Sequence, residues 1–274
     1  MKLQIDGRQI QAMPGASLLE LVKQLGLDAP ELSRRPLAAK IAGEVFTLNY
    51  IPVRQRDGDT ERSSIRRAMA ASNGEVRLLR YGDEAGKECY LRTAWFVIFL
   101  AIRQLWPKAS AKTSCTLGSS LYIEVMGVPD FSPERLKEHI AQLVAQDIPL
   151  IRRRVPLTEA MERYDEDAQP DKTRLLSWRQ ADYFDEYCYG DFSDYYYGEM
   201  MPSTGFLTVW DVIPAENGFI FVYPDDQNPE KLADVPSMPN FFSVFSEGER
   251  WCTLMECETV ADLNDMVQSG RIRE

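Results

Sequence analysis

One segment, TAWFVIFLAIRQLWP at residues 93–107, constrains the fold of this chain more than any other. Its side chains are apolar on nearly every side of a helix, and Pro107 stops it. Such a helix is stable only where other elements cover it on all sides. The sequence therefore predicts a buried central helix, and the 45% of hydrophobic residues is sufficient for a core around it.

The residues before this helix predict short strands around one helix. MKLQIDGRQIQAM predicts a hairpin that turns at Asp6-Gly7, and PLAAKIAGEVFTL predicts a second that turns at Gly43. Between them, Ser17 is placed to cap the helix SLLELVKQLGL, which Gly26 ends. GEVRLLRYGDEAG, at 74–86, is predicted as a last strand. Such an order of elements within about 85 residues favours a β-grasp.

The residues after the central helix predict further strands and helices. Strands are predicted at SLYIEVMGV, LIRRRVPL, GFLTVWDVIP and GFIFVYP. Helices are predicted where Ser132 caps the segment that carries His139, where Thr158 caps TEAMERYDED, and where Thr259 caps the last helix with Asp262 three residues on. The predicted architecture is α+β, in two domains followed by a helical tail.

The composition restricts the chemistry. His139 is the single histidine, near the edge of the apolar stripe of its helix, so a mechanism with two histidines is excluded and a boundary role is favoured. Five cysteines without a C-x-x-C pair indicate reduced thiols, and we expect no metal site. No run approaches the 18 or so uncharged apolar residues of a membrane span, and the N-terminus lacks a signal-peptide core. We expect a soluble cytoplasmic protein with no membrane partner.

Charge is distributed unevenly along the chain. Residues 1–80 carry 13 Lys and Arg against 9 Asp and Glu, whereas the rest carry 18 against 33. The candidate RNA contacts are Arg54, Arg56, Arg62, Arg66 and Arg67, for which a solvated loop is the favoured interpretation. A second basic spot, 152–154, is interpreted as a solvated edge. Residues 182–200 hold six acids and no Lys or Arg, which argues against tRNA docking there.

The motifs of nucleotide chemistry are missing from the sequence. A phosphate cradle needs G-x-x-x-x-G-K-[ST], and the nearest approach, Gly82 to Glu88, is one residue short. Glu88 also stands where a magnesium-binding hydroxyl is required. We therefore expect no phosphate cradle in this chain and assign it no cofactor. Paired carboxylates of the glycosidase type stay open, because Asp and Glu are too frequent to be informative, so no catalytic residue is assigned.

The order of several segments resembles the N-terminal region of threonyl-tRNA synthetases. Residues 1–86 resemble a TGS domain, the β-grasp module of these enzymes and of some GTPases, with PLAAKIAGEVFTLNYIPV as its central hairpin. Residues 87–230 resemble the synthetase domain that edits mischarged tRNA. The segments AIRQLWP, SLYIEV, DIPLIRRRVPLTEAMERY and DYYYGEMMP follow in the family's order. The resemblance implies these two domains and a helical tail at 231–274.

The chemistry of such an editing domain is carried by two motifs, H-x-x-x-H and C-x-x-x-H, which hold a water, and sometimes a metal, against the aminoacyl ester. By this resemblance the first motif falls on Arg92 and Phe96, and the second on Tyr196 and Met200. Phe, Tyr and Met are neither general bases at neutral pH nor good zinc ligands. The resemblance therefore implies a degenerate editing pocket that has been refilled by packing.

A new ligand in that pocket is the alternative to packing. Arg92 beside tyrosines can hold an anion or stack on a base. The candidate ligand residues are Asp194, Tyr195, Tyr197, Ser203 and Thr204. Packing alone is the favoured interpretation.

A second group, the nucleoside (uridine) kinase-like proteins, carries this pair of domains without the histidines. The stretch DYYYG-x-x-x-PSTG-[FY] and the tail from ERWC to GRIRE resemble that group. The resemblance implies a non-catalytic accessory region of a longer polypeptide, whose downstream kinase domain would be its partner and would bind ATP and Mg. The alternatives are a tRNA- or RNA-binding module and a divergent aminoacyl-tRNA deacylase that uses other groups.

Overall fold

The computed structural model describes residues 1–52, 73–166, 170–236 and 241–271. The predicted RNA contacts between Arg54 and Arg67 lie outside these ranges. The chain forms two compact units, the first of Met1–Ile151 and Tyr187–Val235, the second of Arg152–Glu186 and Pro236–Glu274. Both strands and helices build it, which confirms the α+β class. The three-part division at residues 86 and 230 stays a prediction.

The elements follow one another along the chain as strands β1–β12 and helices α1–α7. The strands are β1 (Lys2–Ile5), β2 (Arg8–Gln11), β3 (Ala38–Ile41), β4 (Glu44–Thr47), β5 (Glu75–Leu79), β6 (Ser110–Thr116), β7 (Ser120–Met126), β8 (Arg152–Pro156), β9 (Tyr183–Tyr189), β10 (Phe192–Asp194), β11 (Asp211–Ala215) and β12 (Gly218–Val222). The helices are α1 (Leu18–Gln24), α2 (Glu84–Leu105), α3 (Pro133–Ala145), α4 (Leu157–Glu166), α5 (Pro170–Leu176), α6 (Phe241–Leu254) and α7 (Val260–Ser269).

A five-stranded sheet begins the first unit, in the order β2-β1-β5-β3-β4. Its central pair, β1 and β5, is parallel, and the other neighbours are antiparallel. Both predicted hairpins are confirmed. Helix α1 begins at the predicted cap, Ser17, which forms a reciprocal capping box with Glu20. The buried side chains Leu18, Leu21 and Val22 of this helix join the core of the sheet.

The buried central helix is confirmed, but it begins at Glu84 rather than near Thr93. The strand predicted for 74–86 accordingly ends at Leu79. The cause is a close approach, since a Cβ atom on Gly86 would lie 2.0 Å from the carbonyl oxygen of Arg80. Glycine thus lets the first turn of α2 fold directly back on the end of β5.

The second sheet of the first unit is antiparallel, in the order β11-β12-β7-β6. Helix α3 starts at its predicted cap, Ser132, whose hydroxyl accepts the N–H of Arg135. The strand predicted for GFLTVWDVIP is shorter than expected. Residues Thr204–Phe206 form a single 3-10 turn instead, and β11 begins only at Asp211.

The second unit contains β8, α4, α5 and the start of β9, followed by α6 and α7. Thr158 does not cap α4, because the helix already starts at Leu157, directly after β8. The N–H of Leu157 is bonded instead to the carbonyl of Asp182, at 2.9 Å. The predicted cap of α7 is confirmed, as Thr259 and Asp262 form a capping box. Within the described ranges, no helix is both long and apolar enough to cross a membrane.

Polar contacts join the first sheet to the rest of the first unit. The Asn49 side-chain amide donates to the carbonyls of Leu150, at 3.3 Å, and Pro202, at 2.6 Å. The carboxylate of Glu230 accepts the backbone N–H groups of Leu32, at 3.2 Å, and Ser33, at 2.8 Å. A carboxylate at a turn that presents free N–H groups is a charge-assisted contact.

This contact predicts a pH-dependent stability. The hydrogen bond from the Ser33 N–H lowers the pKa of Glu230 from its ordinary 4.5. A lowered pKa in the folded state stabilises the protein above about pH 4.5, and this stabilisation is lost as the pH falls through the folded value. We expect Glu230→Gln to lower the free energy of unfolding at neutral pH, with a difference from wild type that shrinks below about pH 4.5.

Denaturant unfolding at a series of pH values measures this difference. Glu44→Gln, at an exposed position of β4, is the matched control and should follow the wild type throughout. The prediction would be contradicted if the difference in free energy of unfolding between Glu230→Gln and wild type stayed constant across the acidic pH range.

Candidate functional site

Helix α2 and the segment after β10 meet at Arg92. Its Nε donates to the carbonyl oxygen of Glu199 at 2.9 Å, and its Nη1 lies 3.4 Å from the carbonyl oxygen of Tyr197. Nη1 also contacts the carboxylate of Glu88, one turn back on the helix, at 3.2 Å. The side chain is 15% exposed. Arg92 therefore acts as a clamp that holds the backbone of 197–199 against α2.

Phe96 lies one turn further along α2 and is fully buried. The centre of its ring is 5.4 Å from that of Phe192, 6.4 Å from that of Tyr196 and 6.5 Å from that of Tyr187, all in edge-on arrangements. Met200 is also fully buried, in the same core cluster. Such aromatic pairs stabilise a core beyond the area they bury. Apolar side chains thus fill the space beside α2.

Two further residues organise this site, and the sequence analysis did not identify them. The Thr93 hydroxyl accepts a hydrogen bond from the N–H of Met201 at 3.0 Å. The same hydroxyl donates to the carbonyl of Cys89 at 2.9 Å. The hydroxyl of Tyr187 accepts the N–H of Met200 at 3.2 Å. Thr93 was a usable signal, since it is a polar residue at the start of the apolar run from Ala94 to Ile102. Nothing in the sequence distinguishes Tyr187 from the other tyrosines of its segment.

Cys89 lies one turn before Thr93, with its Sγ 3.8 Å from Nη2 of Arg92. Burial raises the pKa of the Cys89 thiol to about 11, although the charge of Arg92 acts in the opposite direction. The thiolate, not the thiol, is the nucleophilic form. Burial therefore favours the protonated, weakly nucleophilic form of Cys89 at neutral pH.

Three of the candidate ligand residues lie beside the clamp. The carboxylate of Asp194 accepts the N–H of Tyr195 at 2.9 Å and lies 3.4 Å from the hydroxyl of Tyr196. The rings of Tyr195 and Tyr197 meet edge-on at 5.7 Å, and Tyr197 is 76% exposed. These side chains form the outer rim of the site.

Ser203 and Thr204 lie elsewhere, against the loop that follows α3. The Ser203 hydroxyl donates to the carboxylate of Asp147. The Thr204 hydroxyl donates to the carbonyl of Leu143 at 2.7 Å and accepts the N–H of Ile148 at 2.9 Å. Both side chains are buried and hold this loop in place. A role in ligand binding stays a prediction for the five candidates.

His139 is half-buried on α3, which confirms its predicted boundary position. Its Nε2 lies 2.7 Å from the amide oxygen of Gln104, and its Nδ1 lies 3.3 Å from that of Gln142. Across the described ranges, no group of three or more His, Cys, Asp and Glu side chains is arranged to hold a metal ion.

The second unit carries a separate basic and aromatic surface, which we call the arginine–tyrosine surface. Its members are Arg152 and Arg154 on β8, Tyr183 and Asp185 on β9, and Arg179 just before β9. Arg154 binds the Asp185 carboxylate with two nitrogens, at 2.8 and 2.9 Å, and its guanidinium lies 3.9 Å from the centre of the Tyr183 ring. Arg179 donates to the carbonyl of Tyr183 at 3.1 Å.

Three positive charges surround a single carboxylate on this surface. Burial alone would raise the pKa of Asp185, but the hydrogen bond from Arg154 and the charges of Arg152, Arg154 and Arg179 lower it. The neighbouring acid, Glu186, is buried and paired with Arg163. Arginines from outside residues 182–200 therefore offset the charge of Asp185 and Glu186, while the expected repulsion of phosphate by the acids of this segment stays a prediction.

No family model matches the chain. It is similar to threonine–tRNA ligases, with 24% identity over 206 residues to that of Syntrophomonas wolfei, 26% over 204 to that of Clostridium kluyveri and 27% over 207 to that of Desulforamulus reducens. These matches cover 73–74% of this chain and 29% of each ligase. The chain thus spans less than a third of the length of these relatives. The similarity confirms the resemblance to threonyl-tRNA synthetases. It gives no support to the predicted resemblance to nucleoside kinase-like proteins.

The clamp predicts that a side chain at position 198 destabilises the folded chain. Its φ is +130°, and a Cβ atom there would lie 2.7 Å from Cζ of Arg92. We expect Gly198→Ala to lower the free energy of unfolding by about 1–3 kcal/mol, through backbone strain and displacement of the guanidinium. Denaturant unfolding measures the loss.

Gly82→Ala is the matched control, because it has open space around it and should be close to neutral. In an Arg92→Ala background the clash disappears, so Gly198→Ala should cost less there. Equal stability of Gly198→Ala and Gly82→Ala would contradict the clamp.

Proposed function

We propose that this chain is a tRNA-related binding module that lacks editing chemistry. The similarity to threonine–tRNA ligases over 73–74% of the chain supports the relation to tRNA. The observation that supports the lack of editing chemistry is the filled site beside α2. Arg92 binds backbone carbonyls there, and Phe96 and Met200 are fully buried.

The proposal includes a β-grasp of the TGS type at residues 1–86 and an editing-like domain at 87–230. The order of the first sheet supports the former, since its two central strands are parallel and a helix covers its apolar face. The position of the clamp between α2 and the segment after β10 supports the latter. In this assignment the four motif positions are structural.

We expect no hydrolysis from the motif positions, because of the side chains that occupy them. Cleavage of an aminoacyl ester requires a base that takes a proton from water near the ester. Tyr196 and the buried Phe96 and Met200 supply no such base at neutral pH. The Cys89 thiol is protonated, with a pKa of about 11, and His139 lies on α3 beside two glutamines.

RNA would contact the arginine–tyrosine surface in this proposal. Arginines bind phosphate oxygens, and the bound counterions that they displace make the affinity depend on salt. Tyr183 is 38% exposed, so its ring can also stack on an unpaired base. The arginines at residues 54–67 are a second proposed contact.

The test measures the affinity of the full chain for unfractionated bacterial tRNA. Fluorescence anisotropy reports the binding at several salt concentrations. We expect the triple variant Arg152→Gln, Arg154→Gln, Arg179→Gln to bind about tenfold more weakly, with a smaller dependence on salt. The matched control is Arg174→Gln in the same unit, since Arg174 is already paired with Asp262 and Asp265. That control should bind as the wild type does.

Each outcome decides a different part of the proposal. No binding at low salt would reject the tRNA-related module. Binding that the triple variant leaves unchanged would keep the module and move the contact to another surface. Release of amino acid from mischarged tRNA by the purified chain would reject the non-catalytic assignment.

An accessory region of a nucleoside kinase-like protein is the second candidate. It is supported by the resemblance of residues 194–206 and of the tail to that group, while the relatives named above are all ligases. ATP, Mg and phosphoryl transfer would belong to a downstream domain. This candidate requires the native gene, sequenced past codon 274, to continue into G-x-x-x-x-G-K-[ST]; a stop codon there would remove it.

A further inference from the structure

Helix α6 ends in a defined backbone motif that holds two cysteines. The N–H of Cys257 donates to the carbonyl of Cys252 at 3.0 Å, and the N–H of Glu256 donates to the carbonyl of Thr253 at 3.0 Å. Glu256 has the left-handed φ of +55°. These two bonds around a left-handed residue form a Schellman motif, in which Cys252 and Cys257 occupy the positions whose side chains commonly touch.

The motif brings the two cysteines within disulfide range. Their backbones share one hydrogen bond, so the covalent links on either side limit the Cα–Cα separation to roughly 7 Å. The bend at the carbonyl shortens this to about 5–6 Å, and disulfides form at Cα separations of about 4.4–6.8 Å. The bond can therefore close with little movement of the backbone.

One member of the pair, Cys252, also differs from the other thiols in its access to solvent. Cys252 is exposed and Cys257 is half-buried, and both are free thiols. Cys89 is buried, whereas Cys115 and Cys188 are half-buried on β6 and β9. The pair at the end of α6 is thus both accessible and paired by the local backbone.

We propose that Cys252 and Cys257 are a dithiol modification site that reacts with small disulfides such as glutathione disulfide. The thiolate of Cys252 attacks one sulfur of the glutathione disulfide, which forms a mixed disulfide and releases the first glutathione. The thiolate of Cys257 then attacks the Cys252 sulfur, which forms the internal disulfide and releases the second glutathione. The two cysteine thiols are oxidised, and the two glutathiones carry away their protons and electrons.

The internal step should outcompete glutathione itself. A tethered thiol acts at an effective concentration in the millimolar range or above, so the mixed disulfide does not accumulate in the wild type. The resulting bond would fix the left-handed turn at Glu256, between α6 and α7. This inference is independent of the proposed function.

The test is incubation of the full chain with glutathione disulfide, followed by intact mass measurement and peptide mapping. The wild type should lose the mass of two hydrogen atoms, with a peptide that links Cys252 to Cys257. Cys257→Ser should instead retain one glutathionyl group on Cys252, at a level about tenfold above the wild type. Cys188→Ser is the control and should close the disulfide as the wild type does.

Substitution of Glu256 tests the role of the motif and leaves both thiols intact. Glu256→Gly keeps the left-handed turn and should close as fast as the wild type or faster, whereas the β-branched Glu256→Val disfavours it and should close several-fold more slowly. A persistent mixed disulfide on wild-type Cys252, or equal closure rates in Glu256→Gly and Glu256→Val, would overturn the proposal.

Discussion

The backbone from Tyr197 to Met201 is held by side chains rather than by a neighbouring strand. Arg92 contacts the carbonyls of Tyr197 and Glu199, while Thr93 and Tyr187 accept the next two N–H groups. Buried backbone groups without partners are costly, so these contacts are a condition for burying Met200 and Met201. The core beside α2 therefore depends on these contacts.

The sequence predicted those hairpins and helix starts that depend on a turn or a capping residue within the same segment. The hairpins follow from Asp6-Gly7 and Gly43, and the helix starts follow from the caps Ser17, Ser132 and Thr259. The start of α2 has a tertiary cause, the approach of Gly86 to the backbone of Arg80, and the sequence does not show it. The same holds for the start of α4, where the N–H of Leu157 is bonded across to Asp182.

The residues of the candidate site also fall into those that the sequence indicated and those that only the folded chain shows. The resemblance to the editing domain singled out Arg92 and Phe96, and their spacing of four residues places both on one face of α2. Tyr187 and Asp147 act through contacts with distant residues, so their roles appear only in the folded chain. Arg179 and Tyr183 lie 25 and 29 residues after Arg154, so the sequence shows the basic spot at 152–154 without the side chains that join it in the folded chain.

The clamp makes positions 92 and 198 dependent on each other. With arginine at 92, the guanidinium occupies the space that any side chain at 198 would need, and the carbonyls of Tyr197 and Glu199 have a donor. A shorter side chain at 92 would leave the carbonyl of Glu199 without that donor. A single substitution at either position therefore costs stability, so the residue that position 198 can accept is set by the side chain at 92.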